Sequence, residues 1–124
     1  MSRHDPRVTL AQMAEFASQA QDLVRGQTFE AFVGSPVHTL ALERLMECLG
    51  EGVKRLPQEL RDRNPEVNWK GVAGMRDWLV HAYDGVDHRI LWTAVHEDIP
   101  GLLDAVTRMA VALERESAKQ EGHP

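Results

Sequence analysis

Long apolar runs, cysteine pairs and aromatic residues are all scarce in this chain, and each scarcity removes a class of function. No apolar stretch reaches the ~18–20 residues needed to cross a bilayer. The amino terminus, Met1-Ser-Arg-His-Asp-Pro6, has no hydrophobic segment of the secretory kind. The single cysteine, Cys48, excludes an internal disulfide, and no Cys/His spacing suits structural zinc. A reducing, cytoplasmic setting is therefore expected. Net positive charge is also lacking: 14 Lys and Arg against 19 Asp and Glu leave a formal charge of −5. Such a balance argues against holding nucleic acid by general electrostatics, so an RNA site would have to be a compact basic cleft.

The motifs of common helical-bundle chemistry are missing too. There is no Glu-x-x-His, the signature of di-metal carboxylate bundles. Gly71-Val-Ala-Gly74 lacks both the spacing and the Lys-Ser/Thr of a phosphate-binding loop. No segment alternates with period two, so no sheet is expected.

What is present is helical periodicity in a chain of 124 residues, enough for one domain with a core. Met13, Phe16, Ala17, Ala20, Leu23 and Val24, with Val8 ahead of them, predict a first amphipathic helix ended by Gly26. Thr28 to Val33 predicts a further turn. Ser35-Pro36 predicts a helix start, with Ser35 as N-cap, and Val37, Leu40, Ala41, Leu45, Cys48, Leu49, Val53 and Leu56 as the inward face. Cys48 is accordingly expected to pack inside. Gly50 and Gly52 predict close approach by another element. A short helix at Gln58–Arg63 and a loop pinned by Trp69 follow. One helix is then predicted from about Val72 to His96, and a last one capped by Asp98, with a charged, frayed end over 114–124. The expectation is a single all-α domain over 1–124, an antiparallel bundle of four to five helices.

The most distinctive stretch is Gly71-Val-Ala-Gly-Met-Arg-Asp-Trp-Leu-Val-His-Ala-Tyr-Asp-Gly-Val-Asp87. It combines a permanent cation (Arg76), a proton-exchanging imidazole (His81) and the chain's one phenol (Tyr83). Such a set can cleave a phosphodiester without metal: the imidazole moves protons while the guanidinium holds phosphate oxygens. At ~100° per residue, however, Arg76 and Tyr83 nearly coincide on a helix face while His81 lies about 140° from Arg76. A break near Gly74, the reach of arginine, or a second subunit would each reconcile them. Asp77, four residues before His81, could orient the imidazole or raise its pKa. His4, His38, His96 and His123 read as surface or terminal groups. His88 and Arg89 could add charge to a site but read first as a solvated face.

From Ala41 to Leu103 the chain resembles the HepT-like proteins of the HEPN superfamily. The residues that carry the resemblance are Leu49-Gly-Glu-Gly-Val-Lys-Arg-Leu-Pro57, Pro65, Trp69, Gly74-Met-Arg-Asp-Trp-Leu-Val-His-Ala-Tyr83, Gly85-Val-Asp87, Trp92 and Pro100. The family's catalytic motif, Arg followed after four to six residues by His, is matched by Arg76 and His81, and its His-x-Tyr extension by Tyr83. The resemblance implies a homodimeric bundle with a composite cleft and no cofactor or metal. Its implied activity is that of an endoribonuclease toxin in a type VII-like toxin–antitoxin pair. RNA would be its substrate, with no role for DNA or membrane. A minimal nucleotidyltransferase would be the antitoxin, adenylylating Tyr83. Many members carry Asn where this chain has Asp77, a carboxylate beside the motif arginine. The competing reading is a non-cleaving module that binds nucleotide or docks onto the nucleotidyltransferase. A third, purely structural reading would bury Arg76 in a salt bridge with Asp77 or Asp87.

Overall fold

The computed structural model describes residues 5–82 and 85–121. Seven helical segments and no strand occur among the described residues: α1 (Pro6–Val24), α2 (Phe29–Val33), α3 (Pro36–Arg55), α4 (Gln58–Asp62), α5 (Trp69–Val80), α6 (His88–Glu97) and α7 (Ile99–Glu121). The all-α expectation holds, with more breaks than the sequence predicts.

Local chemistry sets most of the boundaries. Asp5 caps α1 by accepting from the Arg7 amide (2.9 Å), and Pro6 stands at its first turn. Gly26 follows α1 at φ +73°, a left-handed position that a side chain would strain. Thr28 caps α2 through the Ala31 amide at 3.1 Å. Ser35 is the N-cap of α3, but its hydroxyl shares a 2.7 Å hydrogen bond with His38 Nδ1 and makes no side-chain cap bond.

α3 is the central element, packed against α1 on one side and α5 on another, while α1 also packs along α7. The first half of α1, at Thr9 and Met13, faces Gly52 and Arg55 late in α3, while Asp22 and Leu23 lie by His38 and Ala41 near its start, so these two helices run antiparallel. Arg7, at the start of α1, donates to Ser117 near the end of α7 (2.8 Å), so that pair is antiparallel as well. This bond helps to explain why α7 continues as helix to Glu121, through the charged stretch from Glu114 that composition marks for fraying. Between the helices lie Leu10, Met13, Phe32, Leu42, Met46, Leu49, Leu91, Ile99 and Leu102, all essentially inaccessible to solvent. Each large apolar side chain so buried contributes roughly 1.5–3 kcal/mol.

Three expectations are corrected. The inward face of α3 is Thr39, Leu42, Met46, Leu49 and Val53, whereas Val37 and Leu40 are 76% and 63% exposed. α3 thus carries two apolar stripes, and periodicity alone does not say which one faces α1. Asp98 closes α6, with its carbonyl accepting from the Leu102 amide (3.1 Å) at the turn into α7. The third correction is the largest: no single helix spans Val72 to His96. α5 stops at Val80, and α6 restarts at His88, capped by Asp87 accepting from the Arg89 amide at 3.0 Å. Gly85 in between has φ +116°, a conformation no regular helix contains. The break frees α6 to pack on α7 and to set Trp92 against Phe29 and Phe32, at ring separations of 5.8 and 5.4 Å.

Candidate active site

Arg76 is delivered to its position by a close helix crossing. α5 opens at Trp69, where Asn68 caps it by accepting from the Gly71 amide at 3.0 Å. The Trp69 indole, 8% exposed, donates to the Arg61 and Asn64 carbonyls at 3.1 and 2.9 Å. The tryptophan thus anchors the preceding loop as expected, from the first turn of α5 rather than from within that loop. Over the next two turns, α5 meets α3 at Gly50. A Cβ on that glycine would lie 2.2 Å from the Arg76 Cβ and 3.0 Å from the Val72 carbonyl oxygen. Gly52 similarly leaves room for Met13, whose side chain a Cβ there would meet at 2.6 Å. Both glycines therefore serve packing, as the sequence predicts, and Gly50 also fixes where the motif arginine stands.

Arg76 lines a cleft of about 420 Å³ between α1, α3 and α5, whose walls include Phe16, Arg44, Cys48, Glu51, Arg55 and Val80. Its side chain is 33% exposed and is held by two carboxylates: Nε lies 3.3 Å from Glu51 Oε2, and Nη1 donates to Asp77 Oδ1 at 3.2 Å. Of the structural reading, then, the salt bridge to Asp77 is present but the burial is not. Cys48 is half-buried on the cleft wall rather than enclosed in the core.

Asp77 is engaged by two cations. Its carboxylate accepts from Lys54 Nζ on α3 and from Arg76, and its main-chain carbonyl accepts from the His81 amide at 3.3 Å. The Lys54 hydrogen bond first, and the Arg76 bond second, hold the Asp77 carboxyl below the usual carboxylate range. In the described structure this side chain bridges two cations. Sequence inspection did not single out Lys54, because its partner lies 23 positions away on another helix.

His81 is the residue at which α5 ends. It adopts φ −105° and ψ 12°, and its amide reaches the Asp77 and Trp78 carbonyls. The ring is exposed, one residue beyond Val80 of the cleft wall. α5 runs uninterrupted through Gly74, so no break there brings Arg76 and His81 together. Tyr83 lies outside the described residues.

The remaining candidates take structural places. His88 Nε2 is 3.0 Å from Glu43 Oε2, both side chains about a quarter exposed, which ties α6 to α3. The Arg89 guanidinium lies 3.6 Å over the centroid of Phe29. His96 packs on Trp92 with ring centres 4.4 Å apart. Among the described residues no group of three or more His, Cys, Asp or Glu could hold a metal ion, and no helix is long and apolar enough to cross a membrane.

Comparison with known proteins places these features in one lineage. The family description "Ribonuclease HepT-like" matches residues 13–109, from the middle of α1 to well inside α7. An inferred RNase of Caldanaerobacter subterraneus subsp. tengcongensis is 43% identical over 97 residues, covering 78% of this chain and 87% of its own. An inferred ribonuclease HepT of Thermococcus cleftensis is 40% identical over 93 residues, covering 75% and 84%. An inferred RNase of Methanocaldococcus jannaschii is 31% identical over 116 residues, covering 94% and 96%. No solved structure gives a significant match. With the family match running through α3, the Gly50 crossing and the whole of α5, the chain belongs to the HepT-like ribonuclease family.

Proposed function

We propose that the protein is an endoribonuclease toxin that cleaves RNA without a metal ion, with Arg76 and His81 as its catalytic pair. The observation that carries this reading is the placement of Arg76 on the wall of a basic-lined cleft, with His81 at the end of the same helix. Family membership supplies the reaction class. In the proposed step the ribose 2′-oxygen attacks the adjacent phosphorus and His81 takes the hydroxyl proton. The bond from phosphorus to the 5′-oxygen breaks, and the protonated His81 returns its proton to that oxygen, which leaves as a free hydroxyl. A 2′,3′-cyclic phosphate remains on the other fragment. Arg76 offers a planar pair of donors to the phosphate oxygens as charge builds on them. A two-fold dimer would bring two such clefts, and the exposed His81 rings, to one composite site.

Control by a minimal nucleotidyltransferase antitoxin belongs to the same reading. Adenylylation of Tyr83, two residues beyond His81, would add bulk and negative charge next to the pair and oppose binding of a phosphate chain. Purified protein in excess chelator should cut RNA to products bearing cyclic phosphate. Arg76→Ala and His81→Ala should each lower the rate by at least a hundredfold with helicity unchanged. Undiminished cleavage in both variants would refute the assignment. Mass spectrometry after co-expression with the nucleotidyltransferase tests Tyr83: AMP on another residue, or on none, removes the modification from this reading.

The alternative is a non-cleaving module that holds nucleotide phosphate through Arg76 or docks onto the nucleotidyltransferase. The observation favouring it is the engagement of the Arg76 guanidinium by both Glu51 and Asp77. Intact RNA after long incubation, together with a stable complex, would select it.

A further inference from the structure

The cleft contains more positive charge than the motif accounts for, and that charge is ordered. Arg44 and Arg55 both line it from α3, eleven residues apart. Eleven residues are three helical turns plus about 20°, so the two share one stripe of α3 with an axial separation of about 16 Å. Arg76 enters between them: its Cβ sits level with Gly50, close to the midpoint of that interval, and its Nε lies 3.3 Å from Glu51, which shares their stripe. Three guanidinium groups therefore form a line across one groove of a chain whose formal charge is −5.

Each member of the line is matched at present by a carboxylate of the same groove. Arg44 lies 3.6 Å from Glu47, Arg55 is 3.9 Å from Glu51, and Arg76 is 3.3 Å from that same Glu51. Such long, solvent-exposed pairs contribute little stability, and a phosphodiester presents guanidinium with better bidentate geometry. Phe16 on the groove wall adds an aromatic face of the kind on which unpaired bases stack. A duplex keeps its bases stacked inward and its phosphates on a convex surface, so it would leave both the groove and the ring unused.

We infer that Arg44 and Arg55 are phosphate subsites on either side of Arg76, and that the preferred ligand is single-stranded RNA spanning more than one nucleotide. This rests on the ribonuclease reading for the identity of the scissile position at Arg76. It stands apart from that reading in being a statement about binding.

The test uses full-length protein and a fluorescent 2′-O-methyl hexanucleotide, which has no attacking hydroxyl, with anisotropy measured across a salt series. For single strands the logarithm of affinity falls with the logarithm of salt at about 0.7 per phosphate neutralised. The wild type should therefore show a slope near −2, and Arg44→Gln/Arg55→Gln should reduce its magnitude by about 1.4 with affinity falling tenfold or more. Glu47→Gln, which removes a competitor of phosphate at Arg44, should tighten binding. The same sequence as a duplex should show no dependence on the two arginines. A double variant with unchanged slope, equal dependence on the duplex, or no binding by the folded wild type would each overturn the subsites. Cleavage lost in Arg76→Ala beside an unchanged slope in the double variant would overturn the subsites and leave the catalytic reading intact. A reduced slope with no cleavage of unmodified RNA by the wild type would do the reverse.

Discussion

Gly50 and Arg76 stand face to face at the crossing of α3 and α5 with no space for a methyl group between them. A Cβ at Gly50 would come within 2.2 Å of the Arg76 Cβ. That neighbouring atom is rooted in the α5 backbone, and the Val72 carbonyl oxygen closes the other side at 3.0 Å, so the helices themselves would have to separate. Gly50→Ala is predicted to destabilise the protein by about 1–3 kcal/mol, despite the gain in helix propensity that alanine brings. Urea unfolding measures this directly. A stabilised variant would show that the crossing is looser than described. Activity should fall by more than the unfolded fraction explains, since Arg76 is carried away from the cleft.

Lys54 and Asp77 form the second prediction. Asp77 places a negative charge beside Arg76, the arginine proposed to hold phosphate, and Lys54 pairs with it from α3. Lys54→Met should lower kcat/KM on RNA about tenfold by leaving Asp77 bound to Arg76 alone. Asp77→Asn should retain or raise the rate. The double variant should recover most of the loss, because the charge needing compensation has gone. Equal losses in Lys54→Met and in the double variant would give Lys54 a different role.

The pH dependence of the same pair has a defined sign. Pairing depresses the Asp77 carboxyl below its ordinary value of 3.8, so its stabilising effect is complete above that value. It is lost as pH falls through the lower folded-state value. The stability difference between the wild type and Asp77→Asn should therefore shrink in acid below pH 3.8, and shrink with added salt at neutral pH because the pair is exposed. A difference that grew in acid would contradict the assignment.

Trp69 should prove costly to replace even by a ring of similar character. Trp69→Phe keeps an apolar anchor but removes the donor to the Arg61 and Asn64 carbonyls. A loss of about 1–3 kcal/mol is expected from acceptors left without a partner. Thermal melts would reveal a near-neutral substitution, which would mean that water replaces the indole.

The His88–Glu43 contact should couple α6 to α3 energetically. Both side chains are only about a quarter exposed. A double-mutant cycle with His88→Ala and Glu43→Ala should give an interaction of about 0.5–1.5 kcal/mol at neutral pH. Additive losses would mean that the contact carries no specific stability.

How much of this was legible in the sequence depends on the range of the interaction. Punctuation worked where one residue decides the backbone: Gly26 ended α1, Thr28 opened α2, and Pro36 stood at the start of α3. The two glycines of Gly50-Glu51-Gly52 were readable as packing sites, though not the partners they admit. Apolar residues recur on both sides of His81, with Leu79 and Leu91 buried in separate helices, so apolar content alone does not mark the break. The cues that outweigh it, Gly85 at positive φ and the cap at Asp87, are single residues that do not interrupt the apolar content around them. Arg76, His81 and Tyr83 were found from motif and resemblance. The setting of Arg76, in which Glu51 and Lys54 come from α3 and Arg44 and Arg55 extend the groove, arises from long-range pairing that local spacing does not encode.

The placement of the two motif residues has a genetic consequence. Arg76 belongs to the packed body of the protein through Gly50, whereas His81 lies just past the end of α5 and is exposed. Changes that displace the arginine also disturb the α3–α5 packing, while a change at the exposed histidine should disturb the packed body less. If the protein is the toxin proposed above, a selection for cells that survive its expression should return stable and inert survivors clustered at codon 81. Survivors with lesions at codon 50 should instead contain little protein at all.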